Sequence, residues 1–187
     1  GKFPYLQAKN IRSVYFGGGT PTILKEKHLE PVITALRSNF NIAEDCEFSL
    51  ETTLHNLNLS KVRLLESLGV NRFSIGVQTF SDKGRKLLNR VHDKKGAIEH
   101  LKMIRQNFSG MVCTDVIFNY PDQTIDEVLE DARLVDELEI DSTSFYSLQL
   151  FEKSQLAKTV SQDYYDVNYE HKLHNAFFER LLATGNY

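Results

Sequence analysis

Five short stretches carry residues better suited to holding a ligand than to packing a core. They are Gly17-Gly18-Gly19-Thr20, Glu51-Thr52-Thr53, Gln78-Thr79, Asp115, and Ser147 to Gln149. Three adjacent glycines carry no side chains, so backbone N–H and C=O groups there can approach a small molecule closely. Glu51 and Asp115 offer charged acceptors, Gln78 and Gln149 offer amides, and Arg90 offers a fork of donors shaped for a carboxylate. Each has an ordinary structural reading too. The glycines make a tight strand-to-helix connection, the carboxylates and amides cap helices or hold loops, and Arg90 is a surface arginine after a helix. Five such places together point to one shared pocket. The glycine turn fits neither G-x-G-x-x-G nor G-x-x-x-x-G-K-[ST], which sets aside the two common nucleotide fingerprints.

The elements that must position these residues follow from periodicity. Strands are expected at Ser13–Phe16, Glu47–Glu51, Arg72–Val77, Met111–Phe118 and Ser142–Leu148. In the third, Phe73, Ile75 and Val77 alternate onto one buried side. Helices are expected at Lys27–Asn39, Ser60–Leu68, Asp82–Asn89, Lys95–Asn107, Ile125–Leu138 and Glu170–Ala183. Pro31 belongs in a first helical turn, which predicts a start somewhat after Lys27. Ser60 is the expected N-cap of the second helix and Gly69 its stop. Gln162–Tyr169 lacks a clear period and reads as loop. A strand recurs roughly every 25–40 residues, the spacing of β/α units. The class is therefore α/β with parallel strands, either an open sheet or part of a β/α barrel. Polar residues near the C-terminal side of every strand favour the barrel, where all such ends meet at one mouth.

Composition bounds the rest. A chain of 187 residues with 41% apolar and 25% charged residues is an ordinary single globular domain. A net charge of −3 argues against nucleic acid as a main partner. No apolar run approaches membrane-span length, and the first residues do not form a signal peptide. The two cysteines, Cys46 and Cys113, fall in or beside strands and read as buried thiols of a reduced cytoplasm. They cannot make a metal site alone.

Several segments occur in an order that resembles a known family. They are Phe16-Gly-Gly-Gly-Thr-Pro-Thr22, Ser49-Leu-Glu51, Gly69-Val-Asn-Arg-Phe-Ser-Ile-Gly-Val-Gln-Thr-Phe80, Leu88-Asn-Arg90 and Asp115-Val-Ile-Phe-Asn-Tyr-Pro-Asp-Gln-Thr124. The chain is similar over about residues 10–150 to the radical S-adenosylmethionine proteins grouped around oxygen-independent coproporphyrinogen III oxidase, with their haem-transfer and haem-modifying relatives. The glycine turn and the Gly69–Gln78 segment are the specific parts. The resemblance implies a partial TIM-like (β/α) barrel with S-adenosylmethionine across the strand C-termini. It implies contacts from Gly18, Gly19 and Thr20 to the methionine end, and further contacts from Glu51, Gln78, Arg90 and Asp115. Gln149 falls where the family uses backbone or a small side chain. Chemically, the ligand's carboxylate needs a cation, its ammonium acceptors, and its ribose hydroxyls a paired acceptor; Arg90 and Asp115 could supply the first and last.

The resemblance also implies a [4Fe–4S] cluster, a tetrapyrrole substrate (coproporphyrinogen III or haem) and an electron-donor protein. In the oxidase, a radical from S-adenosylmethionine takes hydrogen from a propionate, and loss of carbon dioxide leaves a vinyl group. Haem chaperones and haem-modifying methyltransferases are the alternatives within the resemblance, and a cofactor-free scaffold for protein contacts is the alternative outside it. The cluster motif C-x-x-x-C-x-x-C is absent from the sequence. In the family it lies upstream of the glycine turn. The expectation is thus one domain, residues 1–187, forming the central portion of a longer enzyme. It would lack the cluster segment and a C-terminal region, and hold no catalytic or metal-ligating residue of its own. Its first strand is expected at a sheet edge, bare or covered by Gly1–Asn10 or by a neighbouring molecule. Asn119-Tyr-Pro-Asp122 replaces a Gly-Leu-Pro-Gly turn of the relatives, and losing both glycines is expected to change that turn. A proline usual near Glu51-Thr52-Thr53 is also missing. Of the remaining candidates, His171 and His174 have metal-ligand spacing but read as a solvated helix face. His92 is placed to approach the pocket mouth. Tyr164–Tyr169 is either a lid or a surface connection with half-buried aromatics.

Overall fold

The computed structural model describes residues 5, 9–151 and 153–187. Five strands, β1 (Asn10–Phe16), β2 (Asn41–Thr53), β3 (Arg72–Gln78), β4 (Met111–Phe118) and β5 (Ser142–Ser147), form one sheet in sequential order. Every neighbouring pair is parallel. Residues from all five strands line a single cavity, so the sheet curls into part of a barrel. Among the described residues, six helices connect and cover it: α1 (Glu26–Asn39), α2 (Leu59–Ser67), α3 (Asp82–Leu87), α4 (Lys94–Asn107), α5 (Ile125–Glu137) and α6 (Val167–Leu182).

Strand alternation decides which face does what. Phe48, Leu50, Phe73, Ile75, Val77, Val112 and Val116 are at most 1% exposed and sit in one core with Leu29 and Ile33 of α1, Val62 and Leu65 of α2, Leu101 and Ile104 of α4, Val128 and Val135 of α5, and Leu173 and Phe177 of α6. The intervening residues, Glu51, Arg72, Ser74, Asp115 and Ser144 among them, face the cavity instead. A parallel sheet is usually apolar on both faces. Here the concave face is polar along most of its length, the composition of a surface that holds a ligand.

Local chemistry fixes the helix ends. Asn58, not Ser60, caps α2: its side chain accepts from the Lys61 amide at 2.8 Å, and Ser60 lies within the first turn. Helix α1 begins at Glu26, earlier than Pro31 suggested, and carries Pro31 inside it. The proline is tolerated because its face is exposed while Leu29 and Ile33 on the other face are buried. Thr124 and Glu127 form a reciprocal capping box at the start of α5. Helix α6 starts at Val167, three residues before the expected start, because Asp166 caps it by accepting from the Asn168 and Tyr169 amides. The expected loop Gln162–Tyr169 thus holds a short 3-10 turn and the first turn of α6. Strand β2 is far longer than expected and meets β1 through a register shift between Ile11 and Ser13. In the described sheet β1 is an edge strand. Of the segment expected to cover it, residues 1–4 and 6–8 lie outside the described residues.

The Asn119–Asp122 turn keeps a glycine-like backbone without glycine. Asn119 has φ +59° and Asp122 φ +57°. Asn and Asp tolerate the left-handed region better than other side chains do, so this backbone is open to them without glycine.

Candidate functional site

A cleft of about 590 Å³ opens along the concave face. Glu51, Gln78, Asp115 and Gln149 all line it, so four of the residues singled out from sequence meet in one place. Glu51 lies two residues before the end of β2, Gln78 ends β3, Asp115 is central in β4, and Gln149 follows β5 by two residues, so four neighbouring strands each contribute to one mouth.

Glu51, at the end of β2, spans the gap to the glycine turn. One carboxylate oxygen accepts the Gly18 N–H at 3.1 Å, and the other accepts the Tyr15 hydroxyl. Gly18 has φ +90°, a conformation that L side chains rarely adopt. A Cβ built on Gly18 or Gly19 meets no atom within 4 Å, so open space lies beside both. Behind the turn, the Thr22 and Thr52 hydroxyls bond at 2.7 Å in the core, and Lys61 Nζ donates to the Thr22 carbonyl at 2.6 Å. The turn is therefore fixed from behind and open in front. Thr20 starts the short 3-10 turn Pro21–Ile23 without using its side chain as a cap.

Gln78 closes β3 at φ +75°, unusual for a residue with a Cβ. A register shift between Gly76 and Gln78 accompanies it, and this aims the Gln78 side chain into the cleft. Gly76 makes room for it, since a Cβ there would lie 2.8 Å from Gln78 Nε2. The loop beyond is held by Asp131 of α5, fully buried, which accepts Thr79 Oγ1 at 2.8 Å and the Phe80 amide at 2.7 Å. Burial pushes the Asp131 carboxyl up to about 7.

Asp115, in the middle of β4, projects into the cleft beside Ser74 and Ser144. Burial raises its pKa, while the hydrogen bond from Ser144 works in the opposite direction. Arg72 and Ser74 of β3 lie deeper in the same cleft. Ile117, Tyr146, Leu148 and Phe151 form an apolar end at the β4–β5 side.

Arg90 does not line the cleft. It follows α3, partly buried, and its Nε is buried without a hydrogen-bond partner among the described residues. Loss of solvent lowers its pKa. Its loop is tied down by Arg85, whose Nη1 donates to the Val77 and Thr79 carbonyls and whose Nε donates to the His92 carbonyl at 2.6 Å. His92 packs its ring 5.0 Å from that of His100 rather than reaching the cleft. His171 and His174 are exposed on α6, and no group of three metal-ligating side chains occurs among the described residues. Tyr164, Tyr165 and Glu170 line a second cavity of about 370 Å³ that shares Ser147, Leu148 and Gln149 with the cleft.

Tyr15, Arg72, Ser74, Ser144 and Tyr146 were missed from sequence. Part of the signal was there: Arg72 and Ser74 lie an even number of residues from Gln78 on β3, and Ser144 is opposite Asp115 in the register, while Tyr15 and Tyr146 follow only from the facing of their own strands. Alternation alone leaves open which face of a strand is the ligand face.

Residues 3–135 match the model of the radical SAM superfamily. The chain belongs to the radical SAM superfamily. It is 34% identical over 155 residues to the anaerobilin synthase of Escherichia coli O157:H7, covering 82% of this chain and 35% of that protein. It is 30% identical over 148 residues to the heme chaperone HemW of Buchnera aphidicola subsp. Schizaphis graminum, covering 78% of this chain and 38% of that one. The coproporphyrinogen III oxidase HemN of Escherichia coli, a radical SAM enzyme, superposes with a TM-score of 0.87 over 97% of this chain and 42% of its own, at 24% identity. The chain thus spans about two fifths of the length of these radical SAM relatives. The curled sheet of five parallel strands is the expected partial barrel.

Proposed function

We propose that the cleft binds S-adenosylmethionine and that the chain is the core of a radical SAM protein that handles a tetrapyrrole. The carrying observation is the convergence of Glu51, Gln78 and Asp115 beside an open glycine turn in one cleft. The ligand's parts have matching places. The open backbone of Gly18, Gly19 and Thr20 suits the methionine end, where carbonyl groups can accept from its ammonium. Asp115 is a charged acceptor for two ribose hydroxyls. The apolar end formed by Ile117, Tyr146 and Leu148 suits a flat base. Arg90 lies outside the cleft but carries a buried Nε without a partner among the described residues, a donor of the kind a carboxylate needs. Gln78 and Gln149 supply polar contacts at the rim.

With a reduced [4Fe–4S] cluster, bound S-adenosylmethionine supplies a radical that can abstract hydrogen from an unactivated carbon. Cys46 and Cys113 are buried in strands and too few to hold such a cluster. The residues of this chain bind and orient the ligand and keep water from its reactive carbon. The preferred reaction is oxidative decarboxylation of a tetrapyrrole propionate, with an electron-donor protein as partner. The similarity to HemW supports a second reading, haem delivery without turnover. Anaerobic incubation of the cluster-reconstituted full-length protein with coproporphyrinogen III, and separately with haem, decides between them. Carbon dioxide release with vinyl formation supports the oxidase reading. Tight haem binding with no product supports the chaperone. Failure to bind S-adenosylmethionine overturns both.

A further inference from the structure

We infer that Tyr15 is a positioning residue that acts through Glu51 to fix the backbone of the Gly17–Gly19 turn. The inference rests on the reading of that turn as the seat of the ligand's amino-acid end. Three contacts carry it. The Tyr15 hydroxyl donates to one oxygen of Glu51. The other oxygen accepts the Gly18 amide at 3.1 Å. The Tyr15 ring lies against Gly17, where a Cβ would come within 2.6 Å of the ring edge and 3.1 Å of Glu51.

Each contact removes one freedom. A carboxylate held by a single N–H can swing about its side-chain bonds, whereas one held from both sides cannot. The ring stops the turn from folding back over β1. Gly17 is therefore glycine because Tyr15 occupies its side-chain space, while Gly18 and Gly19 are bare on the side a ligand would use. The two roles divide a run that looks uniform in sequence. Tyr15 remains a donor throughout the physiological range, because its bond to Glu51 pushes its pKa up to about 12. Tyr15 is 54% exposed, so packing alone does not account for a tyrosine here.

The test is a double-mutant cycle in the full-length protein, using Tyr15→Phe, Glu51→Ala and both together. Tyr15→Phe keeps the ring against Gly17 and removes only the hydroxyl. Amide hydrogen exchange across residues 13–22 reports on the turn without any ligand, and titration with S-adenosylmethionine reports on the site. For a partly exposed bond to a charged group, Tyr15→Phe should speed exchange at the turn and weaken ligand binding, each by about 3- to 10-fold. On the Glu51→Ala background the same change should add almost nothing, an outcome that independent roles of the two residues would not produce. The inference is overturned if Tyr15→Phe leaves exchange unaltered, or if its full effect persists on the Glu51→Ala background. If the wild-type protein does not bind S-adenosylmethionine, the reading of the site falls, and the exchange measurements still decide the role of Tyr15.

Discussion

The two faces of one sheet have opposite chemistry on the same strands. On β3, Phe73, Ile75 and Val77 are wholly buried under helices, while Arg72, Ser74 and Gln78 line the cleft. On β4, Val112 and Val116 face the core and Asp115 faces the cleft. The convex face carries the stability and the concave face carries the ligand chemistry. Neighbouring residues should therefore fail in different ways when changed.

The largest effect belongs to the convex face. The Phe73 ring lies 4.2 Å from that of Phe108, tilted by 34°, inside the core. Phe73→Ala should cost about 3–5 kcal/mol of stability, read by urea unfolding, with any loss of ligand binding following from unfolding alone. A folded Phe73→Ala protein of near wild-type stability would break the division between the faces.

Asp131 lies between the two, a core residue that holds the loop after Gln78. Its carboxyl is raised from 3.8 to about 7 in the folded protein. The native state therefore keeps a proton that the unfolded chain gives up within that window. This contribution is whole below about pH 4 and is lost as the pH rises through about 7, with a slope of at most about 1.4 kcal/mol per pH unit. Asp131→Asn should flatten that part of the stability profile, measured by chemical unfolding at a series of pH values. An unchanged slope would remove Asp131 as its source.

On the concave face, Asp115→Ala removes a charged acceptor. Hydrogen bonds to charged groups contribute about 1.5–3 kcal/mol, so affinity for S-adenosylmethionine should fall by roughly 10- to 150-fold while unfolding stability barely moves. Burial raises the Asp115 pKa, so wild-type affinity should begin to weaken on acidification above the usual carboxylate range. The smallest effect is expected at His174, exposed on α6 and away from the cleft. His174→Ala should shift neither quantity by more than about 0.5 kcal/mol.

Much of this was legible in the sequence. Periodicity located all five strands, because β3 and β4 are rich in β-branched and aromatic residues and β2 alternates Phe48 and Leu50 with Ser49 and Glu51. The strand-end carboxylates and amides marked the mouth for the same reason, since polar residues placed there have little to pack against. What was hidden depended on partners distant in sequence. The cap of α2 went to Asn58 because its side chain, not that of Ser60, reaches the free amide. The left-handed residues Asn119 and Asp122 were not marked by glycine, the usual sign of a positive φ. The bonds of Glu51 to Tyr15 and Gly18 join residues 36 and 33 positions away in sequence, which no local pattern gives. Arg90, expected beside the ligand, does not line the cleft, because its position depends on the packing of the loop after α3.

The central claim is that the concave face is the S-adenosylmethionine site. Amide hydrogen exchange of the cluster-reconstituted full-length protein, with and without saturating S-adenosylmethionine, tests it directly. Protection is expected in the segments around Gly17–Thr20, Glu51, Gly76–Gln78, Asp115–Ile117 and Ser144–Gln149, with the Arg90 loop also slowing as its guanidinium finds a partner. The groove at the opposite end of the strands, lined by Asp45, Arg105 and Asp141, should not change. Protection in that groove, with none at the glycine turn or at Asp115, would contradict the account.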